Sequence, residues 1–249
     1  MRIAAIIPAR YASSRFPGKP LVMIHGKSMI MRVYEQAVQA GVFTEVIVAT
    51  DDSSILLHVQ KQGGKAVMTS EHHRSGTERC AEAIIVAGLE NAIDAVVNIQ
   101  GDEPYIQPEQ IVQLADCLRN ADRGIATLVK KITDVDELLN PGVVKVVRDF
   151  EGRAIYFSRH PIPFIREFEK EQWLRQYVFY KHIGIYGYHY KILKQIVDLP
   201  MAAIEQSESL EQLRWLYNGY PVFTAETDYE SLAVDTPEDL LKLINKPCN

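Results

Sequence analysis

Short continuous apolar runs alternate with amphipathic stretches of helical period from the first residues onward. The run at 3–7 reads as a strand buried on both faces. The segment at 28–40 keeps Ile30, Val33, Ala37 and Val38 in helical period and is closed by Gly41. A second apolar run, 45–49, leads into Thr50-Asp51-Asp52; a helix over 53–62 stops at Gly63-Gly64, and a short strand follows at 65–69. Ser75 and Glu78 form an S-x-x-E capping box that opens a helix running to about 89. The run 95–99 is a further buried strand, and Pro108 suits the first position of a helix over 108–120. Strand–helix alternation with short connectors predicts an α/β fold: a mainly parallel, Rossmann-like sheet flanked by helices and joined by right-handed crossovers, over 1–125.

The second half changes character. Segments 126–132 and 143–147 read as strands, the latter joined to 153–157 by the turn Asp149-Phe-Glu-Gly152. Residues 163–178 are polar and aromatic, with Glu167-Phe-Glu-Lys-Glu-Gln suggesting an exposed helix. Residues 181–190 alternate in the β manner, 207–217 read as helix and 222–225 as strand. Thr236-Pro-Glu-Asp239 is a helix start with proline in the first turn. The expected organisation is therefore an α/β domain of 1–125 plus 230–249, with a smaller α+β lobe at 126–229.

Composition narrows the class. The 249 residues are 47% hydrophobic and 24% charged, with net charge −5 and no long Lys/Arg run, which argues against nucleic acid or an anionic membrane as partner. No signal-peptide pattern and no apolar stretch of bilayer length is found, and the three cysteines form no Cys-x-x-Cys pair, so a soluble cytoplasmic protein is expected.

Three polar loops leave the ends of predicted parallel strands, and such ends share one sheet edge, where open α/β sheets bind ligands. The first carries Arg10, Arg15 and Lys19 at intervals of four to five residues, with Gly18 and three prolines. It has no Walker frame, and a solvated surface loop would account for it as well as a polyphosphate clamp would. The others are Thr50-Asp51-Asp52 and Gln100-Gly101-Asp102-Glu103. Cations and acids on one edge suit a nucleoside triphosphate with a divalent metal, although Asp102 also fits a plain turn and Asp235 a carboxylate near the dipole of the last helix. Arg79 sits unfavourably in the first turn of its helix, as a structural ion pair or an anion ligand would explain. His72 and His73 have no zinc spacing, and neither Gly-x-Ser-x-Gly nor Gly-x-Gly-x-x-Gly occurs. His182 falls in a strand pattern, where a satisfied core histidine is the usual outcome.

Five ordered motifs carry a resemblance: Ile-Pro-Ala-Arg-Tyr-Ala-Ser-Ser-Arg-Phe-Pro-Gly-Lys-Pro-Leu (7–21), Val-Ala-Thr-Asp-Asp (48–52), Ser-Gly-Thr-Glu-Arg (75–79), Asn-Ile-Gln-Gly-Asp-Glu-Pro (98–104) and Val-Asp-Thr-Pro-Glu-Asp-Leu (234–240). With Ala-Ile-Tyr-Phe-Ser-Arg (154–159), Lys-His-Ile-Gly-Ile-Tyr-Gly-Tyr (181–188) and Leu-Glu-Gln-Leu-Arg (210–214), they resemble the 3-deoxy-manno-octulosonate cytidylyltransferases, the CMP-KDO synthetases, nearly end to end. The resemblance implies a nucleotidyltransferase-type fold and transfer of CMP from CTP to the anomeric 2-hydroxyl of KDO, with pyrophosphate released, for lipopolysaccharide assembly. It also implies Mg²⁺, a cytoplasmic enzyme and a homodimer formed through the second lobe. By motif match, Ala9, Arg10, Ser13, Arg15 and Lys19 would hold the triphosphate side, and Thr50, Asp51, Ser75 and Gly76 the cytosine and ribose. Asp102 and Asp235 would bind metal, with Arg10 and Lys19 completing the catalytic set. Arg79, Gln100, His182, Tyr186, Glu211 and Gln212 would surround the acid sugar.

Two stretches depart from the family pattern: Leu232-Ala233, where many relatives carry a glycine, and the insert at 163–178. A cytidylyltransferase for 8-amino-KDO or a sialic acid, a uridylyl- or thymidylyltransferase for sugar 1-phosphates, and a non-catalytic nucleotide-binding regulator are the competing readings.

Overall fold

Ile3, Ile6 and Ile7 expose none of their surface: β1 (Ile3–Ala9) runs between two parallel neighbours, with helices packed against it. That burial on both faces is why the strand is continuously apolar rather than alternating. The computed structural model describes residues 1–12, 16–121, 124–230 and 233–244. These fall into two compact units, Met1–Ala115 with Glu230–Asn249, and Asp116–Tyr229.

In the first unit, β1 is followed by a 3₁₀ turn (Lys19–Leu21) and a small hairpin of β2 (Met23–Ile24) and β3 (Lys27–Ser28). The hairpin was not anticipated: its two-residue turn, His25-Gly26, takes left-handed φ values of 45° and 78°, as a primed turn requires. Then come α1 (Met29–Gln39), β4 (Glu45–Thr50), α2 (Ser53–Lys61), β5 (Ala66–Met68), α3 (Gly76–Val86), β6 (Ala95–Asn98) and α4 (Pro108–Asn120). The four long strands pair in parallel in the order β6-β1-β4-β5. Ala9 stands opposite Thr50, and Thr50 opposite Met68, so the loops after β1, β4 and β5 leave from one edge. The division between units falls after Ala115, inside α4, earlier than the expected 125.

The second unit contains β7 (Ile125–Lys131), α5 (Val135–Leu139), β8 (Lys145–Arg148), β9 (Ala154–Ser158), α6 (Trp173–Gln176), β10 (Tyr180–His189), α7 (Tyr190–Ile196), α8 (Ala203–Glu208), α9 (Gln212–Tyr217) and β11 (Val222–Glu226). β10 pairs antiparallel with β7 and β8, β8 antiparallel with β9, and β11 parallel with β7. Two expectations need correction here. The polar run at 167–172 is not an exposed helix: it holds only a 3₁₀ turn, Lys170–Gln172, and Trp173 after it is 2% exposed. Trp173 packs with Ile132, Leu138 and Phe179, and its Nε1 donates to Phe168 O at 2.8 Å. The single helix expected over 207–217 is two, broken at Ser209, whose φ is 53°. The break brings Arg214 of α9 onto Glu205 of α8 as a buried two-pronged pair at 2.6 and 2.7 Å.

After the second unit the chain returns to the first. Val234, and Leu243 from α10 (Pro237–Ile244), join Ile24 and Met29 in a small apolar cluster, with Phe16, Tyr105, Leu240 and Ile244 packed around it. Thr236 and Asp239 cap α10 reciprocally: Thr236 N donates to Asp239 Oδ2 at 3.0 Å and Asp239 N to Thr236 Oγ1 at 3.2 Å.

Because Trp173 is the aromatic centre of its cluster, Trp173→Ala should cost about 3–5 kcal/mol of unfolding free energy in urea titration. A loss below about 1 kcal/mol would show that the 163–178 segment is not anchored through this ring.

Candidate functional site

Lys19 is the meeting point of the first unit. Gly18, at φ 70°, turns the chain back so that its N–H donates to Tyr11 O at 3.0 Å, and Lys19 and Pro20 open the 3₁₀ turn. From there the Lys19 ammonium donates to Asp102 Oδ2 at 2.8 Å and to Val234 O at 2.8 Å, and lies 3.6 Å from Asp235 Oδ1. The Lys19 side chain keeps 12% of its exposure, against 29% and 44% for the carboxylates, so these charges interact at a partly screened cavity edge.

The loop after β6 is held just as closely. A Cβ on Gly101 would stand 2.6 Å from Pro8 O, so only glycine fits where this loop crosses the end of β1. Val234 N donates to Asp102 O at 2.9 Å, tying the returning chain to the same loop. Asp102 and Asp235, 133 residues apart in sequence (235 − 102), are thereby brought to one cation.

A cavity of about 420 Å³ opens beside this junction. It gathers Ala9, Arg10, Lys19, Ser75, Gly76, Arg79, Gln100, Asp102 and Asp235 from the expected set, and adds Pro8, Ala12, Pro20 and Gly101. Ser13 and Arg15 lie outside the described residues, as does Leu232. At the helix end, Ser75 caps α3 by accepting from Glu78 N at 3.3 Å. The reciprocal half of the expected box is absent from its usual place: the Glu78 carboxylate accepts from Arg74 N at 2.8 Å instead. A Cβ on Gly76 would lie 3.2 Å from Asn98 Nδ2, so the first turn of α3 sits low against β6 and leaves its backbone open to the cavity.

Arg79 explains its own awkward place in the helix. It is 1% exposed, donating to Asp51 Oδ2 at 2.9 Å and to Thr69 Oγ1 at 2.6 Å, while still forming part of the cavity wall. Asp51 is therefore turned towards Arg79, and Thr50 is wholly buried, its hydroxyl accepting from Asp52 N at 3.2 Å. Neither Thr50 nor Asp51 lines the cavity. Their part is to hold the wall, which loop spacing could not have revealed because the partner, Thr69, lies on a different connection. Next to them, Glu82 accepts from Ser70 N at 2.7 Å and from the His73 ring. Burial opposes ionisation of Glu82, but these bonds and the nearby Arg79 leave its carboxyl below the usual range.

His182, Tyr186, Glu211 and Gln212 belong to the second unit. His182 is half-buried, with Nε2 3.0 Å from Thr127 Oγ1 and its ring edge-on to Phe157 at 5.3 Å. Burial pushes the imidazole down to about 3. β10 carries a bulge between Ile183 and Tyr186, where Thr127 Oγ1 donates to Ile185 O at 2.8 Å. The Tyr186 ring lies tilted against His182 at 5.1 Å and edge-on to Trp215 at 5.0 Å. Its hydroxyl is buried with no hydrogen-bond partner among the described residues, and burial together with the Glu211 charge holds its pKa well above the ordinary phenol value.

Two consequences are measurable. Asp51→Ala strands a buried guanidinium and should cost about 3–5 kcal/mol in denaturant unfolding; a neutral result would mean that Arg79 finds another partner. For His182 the unfolded imidazole, with its ordinary value of 6.5, takes up a proton that the folded one refuses until about 3. Its contribution to stability is thus complete above 6.5 and is lost progressively as pH falls below that. Ring ¹⁵N chemical shifts of His182 should stay those of neutral imidazole from pH 8 to pH 5; a midpoint near 6.5 would contradict the burial argument.

Comparison with known proteins supplies what geometry alone does not. Residues 4–230 match the family model described as Cytidylyltransferase. A 3-deoxy-manno-octulosonate cytidylyltransferase from Cytophaga hutchinsonii is 52% identical over 242 residues, covering 97% of this chain and 96% of that protein. One from Parabacteroides distasonis is 50% identical, covering 98% and 97%. The structure of CMP:2-keto-3-deoxy-manno-octonic acid synthetase complexed with CTP superposes with a TM-score of 0.90 at 41% identity, over 98% of this chain and 97% of that one. The 4-diphosphocytidyl-2C-methyl-D-erythritol synthase of Anaerococcus prevotii shares only the fold, with a TM-score of 0.61 at 15% identity over 98% and 96% of the two chains. On this evidence the chain belongs to the 3-deoxy-manno-octulosonate cytidylyltransferase family.

Proposed function

We propose that this protein transfers CMP from CTP to the anomeric 2-hydroxyl of 3-deoxy-D-manno-octulosonate, releasing pyrophosphate, in the cytoplasmic supply of activated sugar for lipopolysaccharide. One observation carries the reading: Arg10, Lys19 and Arg79 line the same cavity as two converging carboxylates, in a chain half identical to proteins named for this reaction.

The chemistry is an in-line displacement at the α-phosphorus, so the chain's task is positioning and charge neutralisation. Arg10 and Lys19, with Arg15, hold the phosphates. The open first turn of α3 at Ser75 and Gly76 receives the nucleoside, and Thr50 and Asp51 act on it by fixing Arg79 and that turn. By motif match, Arg79 and Gln100 are assigned to the acid sugar, as are His182, Tyr186, Glu211 and Gln212 of the second unit. The neutral imidazole of His182 suits it to hydrogen bonding with sugar hydroxyls rather than to charge pairing.

Asp102 and Asp235 are the residues that would hold Mg²⁺. Two carboxylates directed at one cation, with a phosphate-binding wall beside them, match a Mg²⁺ site that draws its other ligands from phosphates and water. Bound there with CTP, the ion would neutralise the α-phosphate and favour ionisation of the attacking hydroxyl. A homodimer joined through the second unit completes the proposal.

Pyrophosphate release from CTP or UTP with KDO, 8-amino-KDO, a sialic acid or a sugar 1-phosphate tests the reading. Release should be strongest with CTP and KDO; sialic acid in place of KDO, UTP above CTP, or no turnover at all would overturn it. Asp102→Asn should keep CTP binding within several-fold yet reduce kcat by at least about a hundredfold, since charge builds at the transition state. Near-normal kcat would remove Asp102 from the reaction.

A further inference from the structure

The Lys19 junction has a property that a phosphate clamp alone does not require. Its ammonium is already committed to both proposed metal carboxylates and to Val234 O. We infer that Lys19 is the resident cation of the Asp102–Asp235 site, closing it to divalent metal until CTP arrives and draws the ammonium away. This rests on the metal reading above and concerns the order in which the site is filled.

Two carboxylates brought together by the Val234–Asp102 tie repel each other unless a cation sits between them. A free Mg²⁺ must shed water to enter and would find only two protein carboxylates. Among the described residues no group of three or more His, Cys, Asp and Glu side chains is placed to hold a metal. The tethered ammonium is present in every molecule, held close by the 3₁₀ turn that Gly18 and Pro20 shape. It therefore competes effectively with the ion as long as its own best partners are these carboxylates. A triphosphate changes both sides of that balance: its oxygens offer Lys19 an alternative partner and supply the ligands that the metal lacks. CTP and metal then favour each other's binding through the movement of one side chain, and the coupling is reciprocal. Until the exchange, Lys19 also holds Val234 and Asp235 in place, so the site is not left to collapse or open.

The test is Mn²⁺ binding to the nucleotide-free protein, followed by loss of the free-ion electron paramagnetic resonance signal. Wild type should bind weakly. Lys19→Met, and Lys19→Gln as the variant that still offers a hydrogen bond to Val234 O, should bind at least about tenfold more tightly. Mg²⁺ should raise the Tm of these variants and leave that of wild type unmoved. Lys19→Arg, which keeps a cation, should behave as wild type, and Asp102→Asn added to either neutral variant should erase the gain. Equal or weaker binding by Lys19→Gln, or tight Asp102-dependent binding by the nucleotide-free wild type, would overturn the inference. The metal reading fails separately: if the Mn²⁺–CTP complex binds wild type and Asp102→Asn alike, Asp102 is not a metal ligand at all.

Discussion

The contact on which the first unit depends is the one made by the Lys19 ammonium with Asp102, Asp235 and Val234 O. It closes three stretches of chain onto one point: the loop after β1, the loop after β6, and the segment returning from the second unit. Each arrives with a local device that leaves it little freedom. Gly18 turns the first, Gly101 lets the second cross Pro8, and the Thr236–Asp239 cap with its apolar cluster anchors the third. At this partly exposed cavity edge the charges contribute specificity of arrangement more than net stability, because solvent screens much of their attraction.

The cavity walls follow the same logic at second hand. Arg79 could not sit in the first turn of α3 without Asp51 and Thr69, which satisfy its guanidinium behind the wall. The chain thus places a cation at the cavity without leaving it mobile, and Arg10, which is exposed, contrasts with it. One cation is set by the fold and another is free to follow phosphate. Together they suit a ligand whose negative charge shifts during reaction.

Much of this was readable in the residues. Continuous apolar runs marked β1, β4 and β6 because parallel strands are buried on both faces, and Pro108, Ser75 and Thr236 announced their helices through cap chemistry. What failed depended on contacts between distant positions. The insert at 163–178 looks solvent-exposed by composition, yet one tryptophan decides its placement. Ser209 breaks a helical period, and Glu205 and Arg214 pair across the break. In the site, the motifs named residues gathered at the cavity, but not that Asp51 would serve Arg79, nor that Lys19 would be held by two carboxylates. Motif spacing reports which side chains assemble; it does not report which partner each prefers.

The central claim is that the first unit holds CTP so that the sugar's anomeric oxygen attacks the α-phosphorus. Running the reaction with KDO carrying ¹⁸O at its 2-hydroxyl, and locating the label by ³¹P NMR isotope shift, tests this most directly. The account predicts ¹⁸O in the phosphodiester bridge of the CMP-sugar and none in pyrophosphate. Label in pyrophosphate, or an unlabelled bridge from fully labelled sugar, would contradict it.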